Sequence, residues 1–188
     1  DIALSEGFGR DIGLLKLVGI NPIVVHGGGP QINRMLDRLQ IKSTFIDGLR
    51  VTDASAINVI EMVLCGSVNK EVASLINRAG ALAVGISGKD GGLLVAKKVR
   101  RVVRNQETRQ DEVIDLGFVG EPSRVDPQVL YALSGSGLIP VIAPIGADEG
   151  GPPHKIHEEN APRALPGTVR ATPAALLTDV RGLPRGAS

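Results

Sequence analysis

The sequence predicts an α/β protein whose central sheet is largely parallel. Three short apolar runs rich in Val, Ile and Ala, at residues 21–26, 81–87 and 139–144, are typical of buried strands. Segments with apolar residues at helical spacing lie between them. Because strands that alternate with helices usually pair in parallel, this order favours the α/β class over an all-helical or all-β fold.

Local signals predict the individual elements. Asp53, for example, is a favourable N-cap for the helix that follows it, and Gly19 and Gly80 are suitable helix ends. In chain order we predict a helix at 5–18, a strand at 21–26, a helix from Pro30, an extended or hairpin segment at 44–51, helices at 54–64 and 68–79, a strand at 81–87, a β-hairpin at 93–119, a short helix at 125–133 and a strand at 139–144. Residues 152–188 hold half of the prolines, so no long helix is expected there.

Composition excludes several classes of function. The 188 residues carry 21 Lys+Arg against 20 Asp+Glu, which gives a formal net charge of +1 and no general attraction to nucleic acid or anionic membrane. The single cysteine excludes an internal disulfide framework, and no apolar run is long enough to span a bilayer. We see no signal peptide at the start of the sequence, so a cytoplasmic protein is expected.

The most informative string is V-V-H-G-G-G-P-Q-I at residues 24–32. Three consecutive glycines after a buried strand allow a ligand to approach the backbone closely. The next helix begins there with unpaired N–H groups and a positive dipole end, so the loop is predicted to bind an anion. No lysine follows the glycines, so this is not a Walker A loop. A plain strand-to-helix turn is the alternative.

Arg50 lies in the string I-D-G-L-R-V-T-D at residues 46–53, inside a short polar break. A guanidinium can form paired hydrogen bonds with a carboxylate, so Arg50 is a candidate ligand-binding residue. On spacing alone, a surface arginine in a solvated hairpin is the favoured interpretation.

The histidines do not predict a metal site. His26 ends a buried strand, which favours a hydrogen-bonded core histidine over a catalytic base. His154 and His157 stand near Glu158 and Glu159, but the spacing is not H-E-x-x-H and the nearby prolines provide no helix to align the side chains.

Three other features have structural interpretations. Cys65 lies on an apolar helix face and is expected to be a small core residue rather than a nucleophile. The string S-G-K-D-G-G at 87–92 is favourable turn chemistry. The basic string at 97–104 alternates like a strand with one charged face, which indicates a solvated hairpin rather than a nucleic-acid patch.

Residues 7–151 resemble the acetylglutamate kinases, a group within the amino acid kinase family. The resemblance rests on strings in matching order: G-R-D-I-G-L-L-K-L-V-G-I-N-P-I-V-V-H-G-G-G-P-Q-I, D-G-L-R-V-T-D, V-N-K-E, S-G-K-D-G-G, D-L-G-F-V-G-E and I-P-V-I-A-P-I-G. Aspartokinases, carbamate kinases and uridylate kinases share the fold but not the pair H-G-G-G-P and G-L-R-V-T-D. The resemblance implies a three-layer sandwich with a mainly parallel central sheet, of which this chain would hold the N-terminal substrate lobe.

The resemblance also implies an activity. It is the ATP-dependent phosphorylation of the side-chain carboxylate of N-acetyl-L-glutamate, the second step of arginine biosynthesis, with ATP bound as its Mg²⁺ complex. Gly28 and Gly29 would donate backbone N–H groups to the acyl substrate, and Arg50 would bind its α-carboxylate. Phosphoryl transfer of this kind relies on positioning and on charge neutralisation. The family also implies a homo-oligomer, either a dimer or a hexamer of dimers.

The sequence departs from the family at its ends. The Lys-x-Gly-Gly loop of the family would precede Asp1 and a second catalytic lysine would follow Ser188, so the chain looks truncated at both ends. The catalytic residues are therefore unknown. We expect residues 1–151 to form the N-acetylglutamate-binding lobe and residues 152–188 to be a degraded or misread start of the nucleotide-binding lobe.

Residues 155–159 occupy the place of the family string Asn-x-Asn-Ala-Asp. Lys155 replaces the first asparagine and Glu159 replaces the aspartate. Further on, L-L-T-D-V-R-G-L matches the strand and loop that begin the ATP site, which implies nucleotide contacts at Asp179 and Gly182.

Two alternatives stay open. One is a related kinase that acts on a carrier-linked aminoadipate. The other is a non-catalytic module that binds N-acetylglutamate or assembles with complete subunits. In each case we expect neither nucleic acid nor membrane as a partner, and we expect little or no phosphorylation by this chain alone.

Overall fold

The structure is a computed structural model that describes residues 6–46, 48–104, 109–157, 160–165 and 176–177. The helices are α1 (Glu6–Leu17), α2 (Gly29–Arg38), α3 (Ala54–Glu61), α4 (Asn69–Arg78), α5 (Gln128–Gly135) and α6 (Asn160–Ala164). The strands are β1 (Ile23–Val25), β2 (Thr44–Ile46), β3 (Leu49–Val51), β4 (Ala83–Ser87), β5 (Leu94–Arg104), β6 (Asp111–Val125), β7 (Ile139–Ala143), β8 (Ile145–Ala147), β9 (Pro153–Ile156) and β10 (Leu176–Leu177).

The central sheet is parallel, as the sequence predicted. Its strand order is β10-β1-β7-β4, and each of the three pairings is parallel. Val141 of β7 lies opposite Val24 of β1 on one side and opposite Gly85 of β4 on the other. Strand β7 is therefore central and β4 forms one edge. The three predicted strands at 21–26, 81–87 and 139–144 are therefore neighbours.

Both faces of the sheet are covered. Val24 and Val141 face one apolar core, which also contains buried residues of α1, α2, α3 and α4. Ile23, Val25 and Ile142 face a second core, formed with α5, α6 and parts of β5 and β9. Because alternate residues of a strand point to opposite faces, this division builds the three-layer sandwich.

A small closed barrel lies beside the sheet. Its strand order is β5-β6-β9-β8, in which β5 and β6 form the long antiparallel hairpin. The hairpin was predicted at 93–119, but β6 continues to Val125. The predicted short helix at 125–133 begins correspondingly later, at Gln128. The two short strands β8 and β9 were not predicted, because neither shows a long alternating pattern.

The predicted helices at 54–64 and 68–79 are one helical run. Asp53 caps its start, since Asp53 Oδ1 accepts a hydrogen bond from the Ala56 backbone N–H at 2.8 Å. Residues Met62–Val68 between α3 and α4 form a π-helical segment instead of a break. A π-helical turn changes which side chains face inward, so the second half of the run presents a different set of residues to the sheet.

The proline-rich segment contributes β9 and the short α6, both of which pack on residues before Gly151. Ile156, Ala161 and Leu165 belong to the second core. The boundary between residues 151 and 152 stays a prediction. Among the described residues, no helix has the length and apolar character needed to cross a membrane.

Candidate functional site

The glycine loop joins the buried end of β1 to the start of α2. Gly28 lies against the first core, where a Cβ added to it would approach Leu64 Cδ2 to 2.6 Å. Gly29 is the first residue of α2, and a Cβ there would have no atom within 4 Å. The loop therefore has one side packed against the protein and one side open to a ligand.

The start of α2 provides hydrogen-bond donors. Ile32 N–H already donates to Gly28 O at 2.9 Å, whereas within the described part of the chain the N–H groups of Gly28 and Gly29 have no partner. The first turn carries no acidic residue. These features fit the anion-binding loop predicted from the three glycines.

Arg50 is buried rather than exposed on a solvated hairpin, so the surface interpretation was wrong. It is 6% exposed, and its guanidinium lies 4.5 Å from the centre of the Phe45 ring. Arg50 Nη1 donates to Ser43 Oγ, and Nη2 donates to Asn33 Oδ1 on α2. The Nε–H of Arg50 is buried without a partner in the described structure.

The charge of Arg50 is therefore held beside the first turns of α2. Burial lowers the pKa of the guanidinium from its ordinary value, and the nearby carboxylate of Asp37 opposes this effect. Arginine still stays protonated at neutral pH. A buried cation with an unpaired N–H donor is suited to bind a carboxylate, because the ligand would supply both the missing acceptor and the counter-charge.

His26 is a hydrogen-bonded core histidine, as predicted. Its Nε2 lies 3.0 Å from Asn69 Nδ2, and its Nδ1 lies 2.8 Å from Gly27 O. Asn69 Nδ2 also donates to Val141 O at 2.9 Å and to Ile86 O at 3.3 Å. An amide N–H donor at Nε2 leaves Nδ1 as the protonated nitrogen. This network joins the helical run to the glycine loop and to the central strands.

Asn69 was missed as a site residue, although it lies in the quoted string V-N-K-E. It is fully buried, and a Cβ on Gly85 would approach Asn69 Oδ1 to 2.0 Å. Lys70 Nζ donates to Asn69 Oδ1 at 3.1 Å. The sequence pattern that could have identified Asn69 is a polar side chain between Val68 and Val72 on an otherwise apolar helix face.

A cleft of about 1040 Å³ opens next to the hairpin that carries Arg50. Its walls come from the β2–β3 turn, from the basic part of β5, from β6 and from the segment after β9. The lining residues are Gly48, Leu49, Lys97, Lys98, Val99, Arg100, Arg101, Val119, Gly120, Glu121, His157 and Asn160. Four of these side chains are cationic and only Glu121 is acidic, so the cleft attracts anions. The exposed basic strand was predicted, but its position in one cleft with the β2–β3 turn was not.

The turn and the cysteine agree with the sequence interpretation. Asp90 Oδ2 accepts hydrogen bonds from Ser87 N–H at 2.6 Å and from Ser87 Oγ at 2.9 Å, which closes the turn at 87–92. Lys89 of the same turn pairs with Glu61 at 2.7 Å. Cys65 is half-buried against the first core, and burial raises the pKa of its thiol to about 11.

The remaining candidates that the structure describes lie on β9 or directly after it. His154 is 3% exposed and packs against Phe118, with 5.7 Å between ring centres, whereas His157 lines the cleft. The part of the chain that the structure describes holds no group of three His, Cys, Asp or Glu side chains suited to a metal ion. Lys155 lies in β9, opposite Ile145 and Val119. The predicted site residues Glu159, Asp179 and Gly182 lie outside the described residues.

The parallel sheet, covered on both faces, defines a three-layer α/β sandwich, in which a glycine loop follows β1 and Arg50 is buried beside α2. The profile of the amino acid kinase family matches residues 6–186. The chain therefore belongs to the amino acid kinase family.

Within that family the chain is similar to curated acetylglutamate kinases. It is 62% identical over 183 residues to the acetylglutamate kinase of Gluconacetobacter diazotrophicus, and the alignment covers 97% of this chain and 58% of the relative. It is 63% identical over 180 residues to that of Gluconobacter oxydans, with 96% of this chain and 61% of the relative covered. The chain thus spans less than two thirds of the length of these relatives.

Solved structures share the fold. The crystal structure of smu.665 from Streptococcus mutans UA159 superposes with a TM-score of 0.72 at 23% identity, covering 86% of this chain and 61% of that one. N-acetylglutamate synthase from Neisseria gonorrhoeae, complexed with coenzyme A and N-acetyl-glutamate, gives a TM-score of 0.61 at 21% identity, covering 85% of this chain and 34% of that one. At such identities the likeness concerns the fold alone.

Proposed function

We propose that this chain supplies the acyl-substrate lobe of an acetylglutamate kinase, which phosphorylates the side-chain carboxylate of N-acetyl-L-glutamate with ATP. The observation that carries the proposal is the buried Arg50 guanidinium, whose Nε–H has no partner in the described structure and whose Nη2 is bonded to α2. The identities of 62% and 63% to curated acetylglutamate kinases support the same activity. The comparisons do not favour the aminoadipate kinase or the non-catalytic module.

The described residues suggest how the substrate would be held. Arg50 binds the α-carboxylate through charge-assisted hydrogen bonds, and the N–H groups of Gly28 and Gly29 bind the acyl end of the substrate. Two fixed contact points orient the side-chain carboxylate toward the phosphoryl donor, which is the main contribution of a protein to this kind of transfer. The basic wall of the cleft raises the local concentration of a dianionic substrate.

The other parts of the proposal come from the family. ATP would bind as its Mg²⁺ complex, with Asp179 and Gly182 as candidate nucleotide contacts and Glu159 at the position of the family aspartate. Residues 1–151 would form the substrate lobe. The protein would be a cytoplasmic homo-oligomer, a dimer or a hexamer of dimers, with no nucleic-acid or membrane partner.

The test is ligand binding by the full 188-residue chain. Isothermal titration calorimetry with N-acetyl-L-glutamate should show saturable binding, and Arg50→Ala should weaken it by at least about tenfold, because a charge-assisted hydrogen bond is lost. Arg38→Ala, which removes an exposed arginine at the end of α2, is the matched control and should leave the affinity unchanged.

A second ligand separates recognition of the α-carboxylate from damage to the fold. 4-Acetamidobutyrate lacks the α-carboxylate, so the wild-type chain should bind it more weakly than N-acetyl-L-glutamate. Its affinity should be the same in the wild-type chain and in Arg50→Ala, because Arg50 has no carboxylate to bind. Equal affinity of both chains for N-acetyl-L-glutamate would contradict the proposal.

A further inference from the structure

The long hairpin has an interruption next to the candidate site. The register of β5 with β6 changes from Lys98 opposite Gly120 to Arg100 opposite Asp115. Residues 116–119 of β6 stand opposite Val99 alone, so they leave the ladder with β5 and form an enlarged bulge. Instead of facing solvent, this bulge contacts the chain that follows β3.

Thr52 occupies the bulge. Its N–H donates to Leu116 O at 2.9 Å, and its carbonyl oxygen accepts a hydrogen bond from Phe118 N–H at 2.8 Å. These two bonds form a parallel bridge between Thr52 and Gly117. Thr52 is 0% exposed. We call this arrangement of Thr52 with residues 116–118 the clasp.

The clasp requires glycine at position 117 for two separate reasons. Gly117 has φ +74°, a left-handed conformation that other L-residues seldom adopt. A Cβ at Gly117 would also lie 2.0 Å from Thr52 O, which is a backbone atom of the partner segment. The Gly117 N–H donates to Asp115 Oδ1 at 2.8 Å, so the turn itself is held in place.

Arg50 lies two residues before Thr52, and Thr52 Oγ1 donates to Arg50 O at 3.2 Å. On the other side of Thr52, Asp53 caps α3. The described contacts of the Arg50 guanidinium are with the side chains of Ser43, Asn33 and Phe45, all of which are exposed residues. Arg50 itself pairs with Phe45 in the β2–β3 hairpin, and the clasp attaches this hairpin to β6 through the fully buried Thr52.

We infer that the clasp sets the position of Arg50 and that Gly117 and Thr52 are positioning residues for recognition of the substrate α-carboxylate. The inference rests on the proposed binding of N-acetyl-L-glutamate. A small displacement of Thr52 moves the backbone of Arg50 in the same direction, because the hydroxyl of Thr52 is bonded to it. The guanidinium then loses the alignment that charge-assisted hydrogen bonds require.

The test compares two glycines with the same backbone conformation. Gly117→Ala should displace Thr52, whereas Gly137→Ala introduces the same strain at φ +77° with nothing within 4 Å of the new Cβ. We expect Gly117→Ala to weaken binding of N-acetyl-L-glutamate by about tenfold in calorimetry, and Gly137→Ala to leave it unchanged.

A ligand without the α-carboxylate shows whether the effect is transmitted through Arg50. The affinity for 4-acetamidobutyrate, measured by NMR titration, should be the same in wild type, Gly117→Ala and Gly137→Ala. Equal losses for both ligands, or no loss for N-acetyl-L-glutamate, would overturn the inference.

A second pair of variants covers the case in which Gly117→Ala does not fold. Thr52→Val keeps the shape of the side chain but removes the hydrogen bond to Arg50 O, and should weaken binding of N-acetyl-L-glutamate several-fold. Thr52→Ser keeps the hydroxyl and should restore the affinity. Identical affinities in Thr52→Val and wild type would overturn the inference.

The two proposals fail in different ways. A folded wild-type chain that binds neither ligand would overturn the proposed function, and the positioning role would be lost with it. A wild-type chain that binds N-acetyl-L-glutamate, with affinities that the clasp variants do not change, would overturn the positioning role alone.

Discussion

Asn69 Nδ2 donates to His26 Nε2 across 3.0 Å and thereby connects the helical run to the residue that precedes the glycine loop. The two residues are 43 positions apart in the sequence and both are buried. Asn69 also bonds Val141 O on the central strand β7. One amide thus holds three elements of the site together.

Replacement of Asn69 should destabilise the protein. Asn69→Ala leaves His26 and the carbonyl of Val141 buried without their shared donor, so we expect a loss of about 1–3 kcal/mol in the free energy of unfolding. Urea denaturation followed by circular dichroism measures it. Asn58→Ala, at an exposed position on the same helical run, should change stability by less than about 0.5 kcal/mol. Similar values for the two variants would refute the importance of the network.

The two glycines proposed to bind the substrate should respond differently to alanine. Gly28→Ala places a Cβ 2.6 Å from Leu64 Cδ2 in the packed core, so we expect a loss of about 1–3 kcal/mol in unfolding free energy. Gly29→Ala meets open space at a helical position and should be neutral or slightly stabilising. Chemical denaturation of the pair tests this, and the prediction fails if Gly29→Ala is the more damaging change.

Asp53 should make the start of α3 sensitive to acid. The backbone N–H of Ala56 and the hydroxyl of Ser55 bond its carboxylate and lower the pKa of Asp53. Because the folded-state pKa is the lower one, the stabilisation is complete above the unfolded pKa of about 4 and is lost as the pH falls through the folded pKa.

Two variants of Asp53 test this pH dependence. Asp53→Ala should cost about 1 kcal/mol at neutral pH. Asp53→Asn keeps a capping oxygen that does not titrate, so its stability difference from wild type should change only below about pH 4. A difference that stays constant down to pH 2 would be the contrary result.

Cys65 should react slowly with alkylating reagents at neutral pH. Burial raises the pKa of its thiol to about 11, and only the thiolate is nucleophilic. We expect the rate of iodoacetamide labelling to keep rising above pH 9, whereas the chain unfolded in urea should level off near an ordinary thiol pKa of about 8.5. Mass spectrometry of the labelled peptide gives both rates. A plateau near pH 8.5 in the folded chain would contradict the assigned burial.

Short-range patterns predicted much of the architecture. Apolar runs that alternate with segments of helical spacing predicted the strands β1, β4 and β7 and their parallel arrangement. The aspartate at position 53 predicted the N-cap of α3. The π-helical segment was not predicted, since the apolar residues around Cys65 fit a helix on either side of it. The barrel was missed because β8 and β9 are too short to show a period.

The candidate site was only partly visible in the sequence. Three consecutive glycines before a helix predicted the anion-binding loop, and Arg50 was identified through the family resemblance rather than through its spacing. Its burial and its contacts with Asn33 and Ser43 depend on how the hairpin folds onto α2. The cationic cleft depends on how the β2–β3 turn lies against the barrel.

The sequence by itself determined the fold class, the glycine loop and the family, because these depend on composition and on residues near one another in the chain. Three features depend on the tertiary structure: the burial of Arg50, the hydrogen bond from Asn69 to His26, and the backbone bridge between Thr52 and Gly117. The physical reason is distance along the chain: Asn69 and Val141 are separated by 72 positions, and no local periodicity encodes a contact of that range.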